Sequence, residues 1–161
     1  MIHEIAQAIA ATPFAQFIAE SAWAFPAVES AHVVFLVLVV GSIIVLDLRL
    51  VGVSPATRSV RDLSRDVLPL TWVGYTMALL TGLTMFSAKA TDYIANPAFL
   101  LKMGLMVLAG VNMLVFHFMT YPTVARWDVD VRPPLPARVA GGLSLTLWTG
   151  IVVCGRWIGF I

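Results

Sequence analysis

Apolar residues run through this chain in four long stretches separated by short polar connections. The first is the most regular: Phe25 to Gly52 reads FPAVESAHVVFLVLVVGSIIVLDLRLVG and carries no charge from Val33 to Leu46. Glu29 and His32 stand near its start, Asp47 and Arg49 near its close. A helix needs about 20 consecutive apolar residues to cross a bilayer. The pattern therefore predicts a membrane-spanning helix over about residues 27–48, with ionisable groups confined to its two rims. Three more spans are expected over about 67–88, 98–121 and 137–161.

The first 24 residues follow a different pattern. Ile2, Ile5 and Ile9, then Phe14, Phe17 and Ile18, recur at helical spacing on a more polar background. Thr12-Pro13 interrupts them, with Thr12 placed to cap and Pro13 at a first helical position. Too short to cross, these residues predict two helical pieces lying in the membrane interface. The expected organisation is an amphipathic segment, residues 1–24, followed by a four-helix transmembrane domain, residues 25–161. Short connections make that domain an all-α, up-down-up-down bundle.

Composition agrees with this reading and narrows the function. Charged residues make up 12% of the 161 residues and hydrophobic ones 60%, against roughly 25% charged in soluble domains. A net charge of +1, with no basic patch interleaved with aromatics, argues against nucleic acid as a partner. The lone Cys154 leaves no internal disulfide and no C-x-x-C-H site for covalent haem c. Glu4 and the lack of Lys or Arg before residue 21 argue against a secretory signal.

Of ten Lys and Arg, seven (Arg49, Arg58, Arg61, Arg65, Arg126, Arg132 and Arg138) fall on the side of the first and third connections. The positive-inside rule then places those connections in the cytoplasm and both termini outside, as in a multi-pass protein of a bacterial inner membrane.

Ionisable residues inside spans are costly and so mark candidate chemistry. With about 1.5 Å of rise per residue, His32 lies roughly 10 Å to the outer side of the first helix's centre. His117 lies about as far to the inner side of the third helix. The two are separated by roughly 20 Å along the membrane normal, too far to ligate one haem or one metal. Two half-sites remain. On the outer side Glu29 and His32 share a helix face, and a carboxylate can orient a ligating imidazole. Met85 and Met103 fall near the depth of His32 and offer thioethers; Lys102 and Arg156 lie at the same rim, available to haem propionates or lipid phosphates. Along the third helix Met103, Met106, Gly110, Met113 and His117 form a 3-4-3-4 stripe, ending at His117 on the inner side, that could flank a porphyrin or simply pack.

The structural readings stand beside these. Glu29 could pair with Arg156 or Lys102, and His32 could hydrogen-bond a neighbouring helix. Arg49 is expected to snorkel, with Asp47 paired to Arg138 or Arg126, and Asn112 to bond another helix. Gly74, Ala78 and Gly82 at four-residue spacing permit close helix contact. No nucleophile–base constellation, phosphate loop or zinc motif points to an enzyme.

The stretches ES-x-W-x-FP-x-VE-x-x-H (Glu20 to His32), LDLRLVG (Leu46 to Gly52), TG-x-x-x-FSA (Thr81 to Ala88), NPAF-x-x-K (Asn96 to Lys102), N-x-x-x-FH (Asn112 to His117) and LW-x-G-x-x-x-x-GR (Leu147 to Arg156) carry a resemblance. Nearly the whole chain resembles a family of uncharacterised bacterial four-helix membrane proteins with a domain of unknown function. More distantly it is similar to b-type membrane cytochromes and to copper-resistance D and protoporphyrinogen-oxidase-like proteins, which implies histidines near helix ends binding haem or metal. This chain departs from the bis-histidine pattern in having one histidine per half.

The expectation is thus a haem b-binding electron-transfer protein with His32 as axial ligand and His117 marking a second haem or metal site. A proton, ion or small-solute pathway from Glu29 and His32 to His117 and Asp47, or a structural subunit packing against partners, are the alternatives. The lipid bilayer is the expected partner, with a homo-oligomer or a redox protein beside it.

Overall fold

A computed structural model describes residues 1–160; Ile161, the end of the expected fourth span, lies outside the described residues. Seven α-helices and no strands make up the described chain: α1 (Ile2–Ala10), α2 (Pro13–Glu20), α3 (Ala24–Val51), α4 (Val60–Ala88), α5 (Ala90–Ala95), α6 (Pro97–Val115) and α7 (Leu135–Trp157). A π-helical turn (Phe116–Thr120) and a 3₁₀ turn (Tyr121–Arg126) prolong α6. Four helical segments, Ala24–Val51, Val60–Ala88, Pro97–Arg126 and Leu135–Trp157, are long and apolar enough to cross a membrane.

Local chemistry sets the breaks. Thr12 Oγ1 accepts from the Ala15 amide at 3.3 Å and donates to the Ile9 carbonyl at 2.8 Å, so one hydroxyl ends α1 and starts α2. Helix α3 ends on Gly52 in the left-handed conformation (φ 87°), with the Val53 amide bonded back to Leu48 and the Gly52 amide to Arg49. That is a Schellman closure, and its positive φ favours glycine. Helix α4 starts at Val60, earlier than the apolar pattern alone suggests. Ser59 caps it through the Asp62 amide at 3.1 Å, and Asp128 holds Ser59 Oγ and the Arg61 amide from outside.

The spans form an up-down-up-down bundle in which α3 packs along both α4 and α7, and α7 packs along α6. Small residues bring the axes together. A Cβ on Gly74 would sit 3.0 Å from Val39 Cγ2 and 3.3 Å from the Phe35 carbonyl of α3; one on Gly141 would sit 2.9 Å from Leu50 Cβ and 3.1 Å from the Asp47 carbonyl. The Gly74–Ala78–Gly82 stripe is therefore used inside the chain, against α3. Asn112 Nδ2 donates to the Ala140 carbonyl at 3.0 Å, tying α6 to α7. Helices α4 and α6 do not pack along one another. They are joined at the end carrying the termini by the Phe86, Tyr93 and Phe99 rings, stacked or tilted with centroids 5.2–6.2 Å apart. Helices α1 and α2 lie against α4 and its neighbours.

The arginine-rich end is a packed cap. Leu50, Val60, Val124, Trp127 and Ala137 form a buried cluster there. Beside it Arg49 is 0% exposed. Its Nε donates to the Arg58 carbonyl at 2.8 Å, and its Nη2 donates to Asp128 at 2.9 Å and to Ala56 at 3.3 Å. The expected snorkelling is thus corrected: α3 continues to Val51, which turns Arg49 inward between two loops whose carbonyls have no helical partners. The expected pairing of Asp47 with Arg138 or Arg126 is also absent. Asp47 is buried against Ser144 of α7, its Oδ2 has no partner, and the only ion pair among the described residues joins the N-terminus to Glu4.

Candidate functional site

His32 sits on the third turn of α3, and the helices converge on it. Gly82 of α4 faces its ring: a Cβ there would lie 3.1 Å from Cε1 and 3.6 Å from Nδ1. Glycine is thus what lets the imidazole approach α4 this closely. His32 Nδ1 is 2.9 Å from Thr81 Oγ1. The Thr81 hydroxyl has one proton, directed at the Met77 carbonyl at 2.8 Å with the Ala78 carbonyl at 3.1 Å. With its proton on those carbonyls the hydroxyl accepts from the imidazole, and Nδ1 donates. This network assigns the Nδ1–H tautomer and leaves the lone pair on Nε2.

Lys102 of α6 comes to the same level. Its stem lies over Gly155 of α7, with Nζ 3.5 Å and Cε 3.8 Å from where a Cβ would stand. The ammonium is close enough to bear electrostatically on both His32 and Cys154. No carboxylate lies within ion-pair distance of it among the described residues. The carboxyl end of α7, two residues on, supplies partial negative charge instead. One position on each span thus contributes: His32, Thr81 with Gly82, Lys102, and Cys154 with Gly155.

The remaining candidates are arranged differently. Glu29 is exposed and makes no ion pair with Lys102 or Arg156. It bears electrostatically on Tyr93, whose phenol is held above the ordinary tyrosine range by burial and by the Glu29 and Asp92 carboxylates. Arg156 is exposed and lies over the Phe160 ring, 4.5 Å from its centroid. Met85 and Met103 are half-buried. The methionine stripe does not end in an inward imidazole: Met113 is 45% exposed, and the π-helical turn begins at Phe116. A π turn breaks the 3-4 register. His117 is exposed there, stacked on Tyr121 at 5.8 Å and 11°. Among the described residues no group of three or more His, Cys, Asp or Glu could hold a metal ion, so His32 and His117 each offer a single imidazole.

Sequence reasoning did not place Thr81, Gly82 or Gly155 in the site, although Gly82 was expected to permit close helix contact. The signal for the first two was the threonine one residue before the small-residue stripe's last glycine; nothing local marks Gly155 as a seat for Lys102.

Four membrane-crossing helices with a polar junction inside them define a polytopic membrane protein. The chain belongs to a family of unknown function (DUF6644), whose profile matches residues 8–161. No curated protein and no solved structure matches it.

Proposed function

We propose that this chain is a haem b-binding membrane protein of the electron-transfer type, with His32 Nε2 as the axial ligand. The observation that carries the reading is the imidazole's anchoring. Nδ1 is held by the Thr81 hydroxyl at 2.9 Å, an outer-shell contact of the kind that orients a ligating histidine and sets its tautomer. Nε2 is left as the donor atom. Met85 and Met103 are the candidate thioethers for the opposite axial position, and Lys102 and Arg156 the candidate cations for propionates. The side of the bundle between α4 and α6, where the two helices do not pack, offers a planar ring an approach from the bilayer. By the positive-inside rule the arginine-rich cap faces the cytoplasm and the His32 end faces outward, in a bacterial inner membrane.

Protein purified in detergent after expression with ample haem is expected to show a Soret band that disappears in His32→Ala. A colourless preparation, or an unchanged band in that variant, refutes the reading.

A second reading has its own observation: Lys102 is a cation inside a span with no carboxylate partner. An anionic solute held there, beside His32, would supply the missing charge. The path would lead toward Asp47, whose Oδ2 is unpartnered, and not through His117, which faces outward. It predicts solute flux in proteoliposomes that falls in Lys102→Met, from protein with no chromophore.

A further inference from the structure

The arginine-rich end holds a groove of about 290 Å³ with a wide mouth, between the first four turns of α4 and the end of the third span. Arg61, Arg65, Leu68, Pro69 and Trp72 form one wall and Tyr121 the other. Positions 61, 65, 68 and 72 repeat at four, three and four, which is one face of a helix.

Charge is segregated on this helix. Asp62 and Asp66 line a separate groove with Arg58 and Thr57. The Arg61 and Arg65 side chains make no hydrogen bond and no ion pair with any described residue. Two guanidinium groups one turn apart are thus presented together, neither in an ion pair.

The wall changes character along α4. From Arg61 to Trp72 the axis rises roughly 16 Å, from the helix's first turn into its apolar stretch. Over that length the guanidinium groups give way to Leu68 and Trp72, 38% and 52% exposed. Pro69 has no amide proton, so the Arg65 carbonyl lacks its helical donor at this face. Opposite, His117 stacks on Tyr121 and holds its ring in place. The groove lies on the side of the bundle where α4 and α6 do not pack along one another, so neither helix covers it.

We propose that this groove is a binding site for an anionic phospholipid of the leaflet at the arginine-rich end. Arg61 and Arg65 hold the phosphodiester, the Tyr121 phenol lies within the headgroup region, and an acyl chain runs over Leu68 and Trp72. A cationic rim above a continuous apolar wall matches an anion that carries a chain. A soluble phosphate would leave the lower wall unfilled, and a second copy of this chain would bring the same two arginines against its own.

The test uses delipidated, full-length protein in non-ionic detergent, titrated with phosphatidylglycerol and with phosphatidylcholine and read by native mass spectrometry. Phosphatidylglycerol should bind more tightly. The Arg61→Gln/Arg65→Gln double variant should lose roughly ten- to thirtyfold of that affinity, from about 1 kcal/mol per basic residue near an anionic surface. Arg58→Gln, outside the groove, should lose much less, and Trp72→Ala should weaken binding of both lipids. An excess of glycerophosphoglycerol, which lacks acyl chains, should fail to compete. Equal binding of the two lipids, an unaffected double variant with wild-type elution and melting, or full competition by the soluble headgroup would each overturn the proposal. Dimers cross-linked through position 72 that persist with phosphatidylglycerol bound would overturn it as well.

Discussion

Arg49 offers the sharpest test of how the arginine-rich cap is built. It is fully buried, with no carboxylate beside it, and its fork reaches carbonyls in two separate loops. Two of the three bonds are short, 2.8 Å to Arg58 and 2.9 Å to Asp128; the 3.3 Å bond to Ala56 is weaker. A hydrogen bond from a charged donor contributes about 1.5–3 kcal/mol, so the two short bonds give about 3–6 kcal/mol. Against this, burying a guanidinium costs several kcal/mol that its removal returns, and Nη1 has no partner at all. The net loss in Arg49→Ala is therefore set near the lower figure, about 3 kcal/mol. At 2–4 °C per kcal/mol for a chain of this size, melting should fall by roughly 6–12 °C. Arg49→Lys should recover less than half of that, because a single ammonium cannot reach both loops as the planar fork does. Thermal unfolding in detergent gives the stability, and amide exchange in residues 53–59 and 127–131 locates the damage. Wild-type melting in Arg49→Ala, or full rescue by lysine, would refute the role assigned to the fork.

Gly141→Ala places a Cβ 2.9 Å from Leu50 Cβ and 3.1 Å from a backbone carbonyl; α7 must move off α3, and a melting loss equivalent to about 1–3 kcal/mol is expected. Thr81→Val keeps the volume and removes the acceptor at Nδ1; under the haem reading the absorption maximum and reduction potential shift while melting changes little, and an identical spectrum would detach Thr81 from the site. Gly82→Val crowds the imidazole itself, so it should weaken haem retention more than Gly110→Val, where a Cβ meets open space. The Tyr93 phenol has its folded pKa above the ordinary 10.0, so its contribution to stability is complete below pH 10 and is lost as pH rises through the folded value. Tyrosinate absorbance should accordingly show one phenol titrating late, and that component should vanish in Tyr93→Phe.

Much of the frame was legible from pattern alone. Apolar length identified four spans because a bilayer demands about 20 apolar residues whatever surrounds them. Thr12-Pro13 marked the break between α1 and α2 because capping is local chemistry, and Asn112 was expected to bond another helix because an amide within a span needs a partner. The site was less legible. Glu29 and His32 lie on one helix face, yet the partner His32 takes is Thr81, and Glu29 remains exposed. The methionine stripe ended differently because helical spacing assumes one register, and the π turn at Phe116 breaks it.

The sequence by itself determined that four helices are long and apolar enough to cross a membrane, that seven of the eight arginines gather at one end, and that His32 and His117 stand toward opposite ends of their helices. Each follows from length, charge order and rise per residue, which do not depend on how the helices are rotated. Rotation and contact were decided by the tertiary structure. Glycines at positions 74, 82 and 141 bring α3 close to α4 and α7, which sets His32 against Thr81, while Gly155 seats Lys102 where α6 packs on α7. The inner rim of the first span, where Arg49 was expected to snorkel, instead buries that side chain against the carbonyls of two loops. Close packing fixes where a side chain points, and packing partners distant in sequence leave no local trace of that choice.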